Sequence, residues 1–343
     1  MNDSLGDYFS EKNNNFNLMR LIAAFSVIYG HAPAVTGRGP NDFFLQLVGY
    51  KFIGGVAVDI FFVISGFLIT ASALGRNGLL YYLMSRFLRI YPALIICVTL
   101  SVFVLGSVLT DSSVYWSNQQ TWSYLWSNAT AFSTEYFLPG VFANAHDKAI
   151  NGSLWSLAVE VRLYFIVFVL ATTGILKNRT FFNLLFFVAL LTGYFFSEQW
   201  LALFHYPNHL HVAMMFMIGS FAWINRFFIP MNPALLCGLL FFVASQHHTP
   251  GFGAAYALLL PYLVFYFAFV PGIAWFNNFS DYSYGVYLYG WIAQQLVLYL
   301  SPEMTNTLNT LYGCALALVL ATVSWHLIES PALRLKERFK RTA

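Results

Sequence analysis

Apolar runs of spanning length alternate along this chain with short polar connections. They fall at 18–35, 52–74, 88–110, 153–176 and 180–197, then at 208–224, 227–245, 252–271, 283–300 and 307–328. A helix rises about 1.5 Å per residue, so about 20 apolar residues match a hydrocarbon layer of roughly 30 Å. Glycine, proline and aromatic residues punctuate several runs, and lipid-embedded helices tolerate all three. The pattern predicts an all-α, polytopic transmembrane bundle of about ten helices, forming one membrane domain over 1–343. No internal repeat or low-complexity segment is visible. The one long hydrophilic connection, 111–152, carries Trp116, Trp122 and Trp126, residues suited to a membrane interface.

Orientation follows from lysine and arginine. With the N-terminus inside, Lys12, Arg20, Arg76, Arg86, Arg89, Lys177, Arg179, Arg226, Arg334, Lys336, Arg338, Lys340 and Arg341 fall on the cytoplasmic side. Arg38, Lys51 and Lys148 fall outside, and Arg162 lies within a run. This bias predicts N-in and C-in, an external 111–152 connection and a basic cytoplasmic tail at 332–343. Residues 1–17 are polar and weakly basic, and no small-residue cleavage site follows them, so the first run is expected to remain as a helix.

Composition makes the lipid assignment firm. Of 343 residues, 59% are hydrophobic and 9% charged, against about 25% charged in soluble domains. The length leaves no room for a second globular domain. A net charge of +3, with the basic residues in short loops, gives no nucleic-acid surface. Cys97, Cys237 and Cys314 each lie in an apolar run and are expected to be buried thiols. His205, His209 and His211, and the pair His247 and His248, lack a nearby cysteine or acidic ligand in sequence, so no metal site is expected.

Ionisable residues inside spans are costly and therefore informative, at roughly 2.5–3.5 kcal/mol each on insertion scales. Arg20 and His31 are eleven residues apart, three helical turns to within about 20°, so they share a face. Arg20 then sits at the cytoplasmic rim and His31 about 16 Å deeper. A snorkelling arginine and a hydrogen-bonded core histidine would give the same pattern. Asp59 lies about 10 Å into the second run from outside, on a small, polar stripe with Gly55, Gly66 and Thr70. Glu160 is equally deep in the fourth, on a stripe with Ser153, Ser156 and Tyr164. His31, Asp59 and Glu160 would thus share one stratum, and an imidazole beside a carboxylate is what a general base requires. Tight helix packing with paired charges fits the same residues. Arg86 and Arg89, three apart before Pro92, put two guanidinium groups on one face, a geometry suited to phosphate. For Arg76, positive-inside bias alone suffices.

These residues resemble the landmarks of acyltransferase family 3. Arg20 and His31 match an R-x10-H signature. FFVISGFLI at 61–69 and the arginine-rich segment Arg86 to Pro92 resemble the second and third motifs. SLWSLAVE at 153–160, SYGVYLYGW at 283–291 and HLIESP at 326–331 complete the series in family order. The chain departs from many relatives at Gly290, where a Y-L-x-H pattern has histidine.

The resemblance implies a ten-helix enzyme of the bacterial inner membrane. Such an enzyme takes an acyl group, usually acetyl, from cytoplasmic acyl-CoA. It delivers the group to a sugar hydroxyl of a lipid-linked or surface glycan such as O-antigen. By carry-over, His31 is catalytic, and Arg20, Arg86 and Arg89 attend the donor. From the depth argument above, Glu160 and Asp59 are expected to support His31, which acts as base or as acyl carrier, and Ser65 is expected beside the donor. No metal is implied, and the oligomeric state is open. Some relatives carry a further hydrolase-like domain, absent from this sequence, so transfer is expected to be completed alone or with a separate partner. Two alternatives remain: a proton-coupled transporter or flippase of lipid-linked sugars, with His31, Asp59 and Glu160 as a proton relay, and transfer of a succinyl or longer group to a non-glycan acceptor.

Overall fold

The computed structural model describes residues 4–9, 14–39, 42–204, 206–269 and 274–340. Lys12, His205 and Arg341, used in the reading above, lie outside the described residues. Among the described residues all regular structure is helical, apart from an isolated antiparallel bridge between Ser4 and Pro230. Each apolar run has its helix. These are α1 (Phe16–Thr36), α2 (Ile53–Ala73), α3 (Gly78–Leu100), α4 (Leu154–Thr172) and α5 (Arg179–Phe195). They continue with α6 (Pro207–Ile224), α7 (Pro233–Ser245), α8 (Phe252–Ala268), α9 (Ser283–Leu300) and α10 (Asn306–Ser324).

Five helical stretches are long and apolar enough to cross a membrane: Phe16–Thr36, Ile53–Ala73, Gly78–Leu109, Leu154–Thr172 and Asn306–Phe339. The chain is therefore a multi-pass membrane protein. The other five are shorter or more polar. The 13 residues of α7 rise only about 20 Å. α6 opens on Pro207, Asn208, His209 and His211, and α9 carries four tyrosines and two glutamines. Large apolar side chains such as Phe165, Leu191, Phe241, Leu311 and Val319 are exposed on the outside of the bundle, where lipid accommodates them. Cys237 is also exposed there, against the expectation of burial, because α7 is a peripheral helix without a buried residue.

The most extensive contact is α2 against α6, and α1 packs on α2, α9 and α10. Small residues set these distances, as in membrane bundles generally. A Cβ at Gly66 would collide with the Phe216 carbonyl, and one at Gly30 would lie 2.6 Å from the Gly54 nitrogen. Helix ends are capped locally. Asn178, Asn232 and Thr305 accept hydrogen bonds from the backbone N–H groups of Phe181, Leu235 and Leu308, and Gly37 closes α1 at φ 67°.

Two helices widen into π-helical turns, Ser101–Gly106 after α3 and Trp325–Glu329 after α10. The second turns Glu329 inward, where it is buried. The 111–152 connection is ordered: it contains the helix Gln119–Thr130, which packs on α3, and buries Tyr115, Tyr124, Ile150 and Asn151. Trp116, Trp122 and Trp126 stay exposed.

Candidate active site

At the Phe16 end of α1 lies a cavity of about 1120 Å³. Arg76, Arg86, Arg226 and Lys336 line it together with Asn77 and Tyr81, and its described lining contains no carboxylate. A second cavity of about 670 Å³ shares Arg76 and Asn77 with it and adds Lys177, Arg338 and Lys340. Among the described residues Arg86 donates only to the neighbouring Ser85 hydroxyl, at 3.3 Å. Lys340 is paired with Glu337; the remaining cations cluster in a concave space, an arrangement that suits an anion of several charges.

Arg89, three residues on, faces elsewhere. Its Nη2 donates to Asp281 Oδ2 at 2.6 Å, and Arg20 Nη1 donates to the same oxygen at 3.1 Å. Arg89 Nη1 lies 3.7 Å from Glu329 Oε2, and its guanidinium sits 5.5 Å from the Tyr284 ring centre. The other Asp281 oxygen accepts from the Ser283 N–H at 3.2 Å and from its hydroxyl at 2.5 Å, at the start of α9. Burial alone would raise this carboxyl; the guanidinium groups of Arg20 and Arg89 hold it well below the usual carboxylate range. The two arginines expected to share a phosphate are therefore separated. Arg86 lines the basic cavity, while Arg89 ties α3 to α1 and α9 through Asp281. Arg76, assigned only to topology above, lines the cavity too.

Beyond this ion cluster is a small cavity of about 50 Å³, lined by Arg20, Ser65, Ser156, Glu160, Tyr284 and Tyr287. Ser65 donates to Glu160 Oε1 at 2.8 Å, and the Tyr164 hydroxyl donates to the same oxygen. The hydroxyls of Ser156 and Tyr287 lie 2.5 Å apart. Ser156, Glu160 and Tyr164 of the α4 stripe thus meet Ser65 of α2 and Tyr287 of α9 around this cavity.

His31 stands further along α1. Its ring centre is 4.8 Å from that of Trp291 and 5.5 Å from that of Phe52. The Trp291 indole donates to the Ala149 carbonyl at 3.0 Å, and Gly152 leaves room for its ring. No hydrogen bond or ion pair reaches the imidazole from the described residues, so neither expected carboxylate contacts it. Glu160 is taken by Ser65 and Tyr164. Asp59, fully buried, is taken by Lys51 at 2.7 Å, His211 at 3.1 Å and the Tyr256 hydroxyl at 2.7 Å. These partners come from α6, α8 and the segment before α2, so Asp59 serves an ion cluster of its own.

Sequence reasoning missed Asp281, which precedes a motif and belongs to no apolar run. It also passed over a stripe on α9. Tyr284, Tyr287, Trp291 and Gln295 recur at three- and four-residue intervals, one helical face, running from the arginine cluster past His31. That spacing was present in the sequence. Among the described residues no group of three or more His, Cys, Asp or Glu could hold a metal. His209 stacks on Trp155, and His247 packs on His248.

Comparison with known proteins gives a consistent result. The acyltransferase domain of family 3 matches residues 13–328. An O-acetyl transferase of Shigella phage Sf6 is 31% identical over 336 residues, covering 93% of this chain and 95% of that one. Nodulation protein 10 of Rhizobium leguminosarum bv. viciae is 26% identical over 376 residues, covering 96% of each. The peptidoglycan O-acetyltransferase OatA of Listeria monocytogenes is 24% identical over 335 residues, which are 81% of this chain and 51% of that protein. No solved structure gives a significant match.

Proposed function

The chain belongs to acyltransferase family 3, and on that premise we propose that it transfers an acetyl group from cytoplasmic acetyl-CoA to a sugar hydroxyl of a lipid-linked or surface polysaccharide, such as O-antigen, at the bacterial inner membrane. The observation that carries this reading is the pairing along α1. A basic cavity with no carboxylate in its described lining opens at one end, and an imidazole with no acidic partner among the described residues stands towards the other, about 22 Å from Phe16 by helical rise. A reaction that brings an anionic donor from one side to an acceptor from the other needs these two features in this order. The names of two relatives, an O-acetyl transferase and a peptidoglycan O-acetyltransferase, support the acetyl group and a glycan acceptor.

In this mechanism Arg86, Arg76 and Lys336 hold the donor phosphates. The pantetheine arm passes the Arg20–Asp281–Arg89 cluster and the small cavity, where Glu160, Ser65 and Tyr287 offer partners to its amides. The cavity of about 50 Å³ must widen to admit it, so donor binding is coupled to a shift of α4 against α2. Neutral His31 takes the proton of the sugar hydroxyl as the oxygen attacks the thioester carbon. The carbon–sulfur bond breaks, the thiolate leaves, and the imidazolium returns the proton to it. A positioned base of this kind contributes about 10²–10⁴ in rate.

The test is direct transfer. Purified protein in lipid nanodiscs receives acetyl-CoA labelled in the acetyl carbon, together with lipid-linked glycan from the host cell. Label should enter the glycan as an alkali-labile ester. Movement of glycan across proteoliposomes without ester formation would replace this reading by a transporter.

A further inference from the structure

A cavity of about 510 Å³ opens at the Thr36 end of α1, opposite the basic one. Its volume falls within the roughly 300–1,000 Å³ of small-molecule sites. Thr36, Asp111, Asn144, His146, Gln295 and Tyr299 line it. Gln295 is 1% exposed. Its Nε2 donates to the carbonyls of Asp147 at 2.7 Å and Ala149 at 2.8 Å, which fixes the amide. Its Oε1 is buried and has no partner among the described residues. Buried acceptors are rarely left unpaired without a reason. The side chains of Asp111, Asn144 and His146 likewise make no hydrogen bond or ion pair with the described residues. Tyr299 packs beside Phe142 and is 54% exposed, a flat aromatic face at the rim.

This lining fits a sugar. It offers fixed and free hydrogen-bonding groups with an aromatic surface for the apolar face of a pyranose ring. Its described lining contains one carboxylate, Asp111, and no lysine or arginine, so an acidic sugar or a phosphate would meet repulsion without a counter-charge. The cavity does not open directly on His31. Leu298, which lines it, and Trp291, which touches His31, belong to one apolar cluster with Val35 and Ala149.

We propose that this cavity is an acceptor subsite. It holds a neutral sugar residue of the glycan next to the sugar presented to His31, and Gln295 Oε1 accepts a hydrogen bond from one of its hydroxyls. The proposal rests on the acyltransferase reading and adds that the enzyme recognises a chain of sugars, not a single one.

The test compares acceptors of different length. Wild-type protein in nanodiscs is given labelled acetyl-CoA with neutral tri- or tetrasaccharides released from the host's surface polysaccharide. The same assay uses p-nitrophenyl glycosides of the constituent neutral monosaccharides, and a trisaccharide containing a uronic acid. The neutral oligosaccharide should exceed the monosaccharide in kcat/KM by about ten-fold or more, the worth of a buried hydrogen bond with its neighbours. The acidic one should be poor. In Gln295→Met and Tyr299→Ala that length preference should collapse through a raised acceptor KM, while acetyl-CoA affinity stays the same. If Gln295→Met fails to fold, exposed Tyr299→Ala decides. Transfer that ignores chain length, or variants that keep the wild-type preference, would overturn the subsite and leave the acyltransferase reading intact. No transfer to any acceptor would overturn both.

Discussion

Replacing Asp281 by asparagine removes the charge that two guanidinium groups share. Arg20 and Arg89 both reach Oδ2, at 3.1 and 2.6 Å, with side-chain exposures of 25% and 14% against 15% for Asp281. Removing one partner of a fully buried pair costs roughly 3–5 kcal/mol because the other is left uncompensated. The residual exposure here lowers that to about 2–3 kcal/mol, roughly a 30- to 150-fold change in the folded-to-unfolded ratio. Equilibrium unfolding of the solubilised protein, followed by tryptophan emission, should show this deficit. A double variant, Asp281→Asn with Arg20→Met, should recover part of it by restoring the balance of charge.

The pH dependence has a definite sign. The folded carboxyl is depressed, so its contribution is fully present above the unfolded value near 4 and disappears as pH falls through the lower folded value. The difference between wild type and Asp281→Asn should therefore be flat from about pH 8 to pH 5 and shrink only below about pH 4. If Asp281→Asn is as stable as wild type and binds acetyl-CoA more tightly, the arginines are phosphate ligands held in reserve, and the clamp assigned to them is wrong.

Arg86→Ala and Lys336→Ala should each weaken acetyl-CoA binding by roughly ten-fold in titration calorimetry, the loss of a charge-assisted contact; unchanged affinity in both would remove the donor from this cavity. Arg86→Lys should fall between, since it keeps the charge and loses the fork. Glu160→Gln retains an oxygen for Ser65 and Tyr164, so transfer should fall by no more than about ten-fold; a loss in the 10²–10⁴ range of general-base catalysis would put its charge into the proton transfer after all. Reporter fusions within 111–150 should be external and fusions after Ala343 cytoplasmic, as the lysine and arginine bias requires; a cytoplasmic signal from 111–150 would invert donor and acceptor sides.

Helix positions were legible because each apolar run is its own lipid-solvated unit, and lipid demands that its backbone be satisfied internally. Residues acting within one helix or one neighbouring pair were legible too. The spacing of Ser153, Ser156, Glu160 and Tyr164 predicts a face, and that face meets Ser65. Partner choice between distant helices was not. Depth along the membrane normal put Asp59, Glu160 and His31 at one level, but lateral position decides contact. Asp59 faces α6 and α8, and its lysine precedes its own helix by a turn that periodicity cannot orient. Arg86 and Arg89 share a face by spacing, yet Asp281, 192 residues after Arg89, draws one away. A carboxylate in a connection gives no periodic signal, so the residue that joins two motif arginines was the hardest to find.

The central claim is that His31, with no acidic partner among the described residues, is the base that joins the two ends of α1. His31→Ala and His31→Gln should each abolish glycan acetylation, measured as ester per unit of membrane-inserted protein, while both still bind acetyl-CoA with wild-type affinity. Near-normal acetylation by His31→Ala would contradict the account.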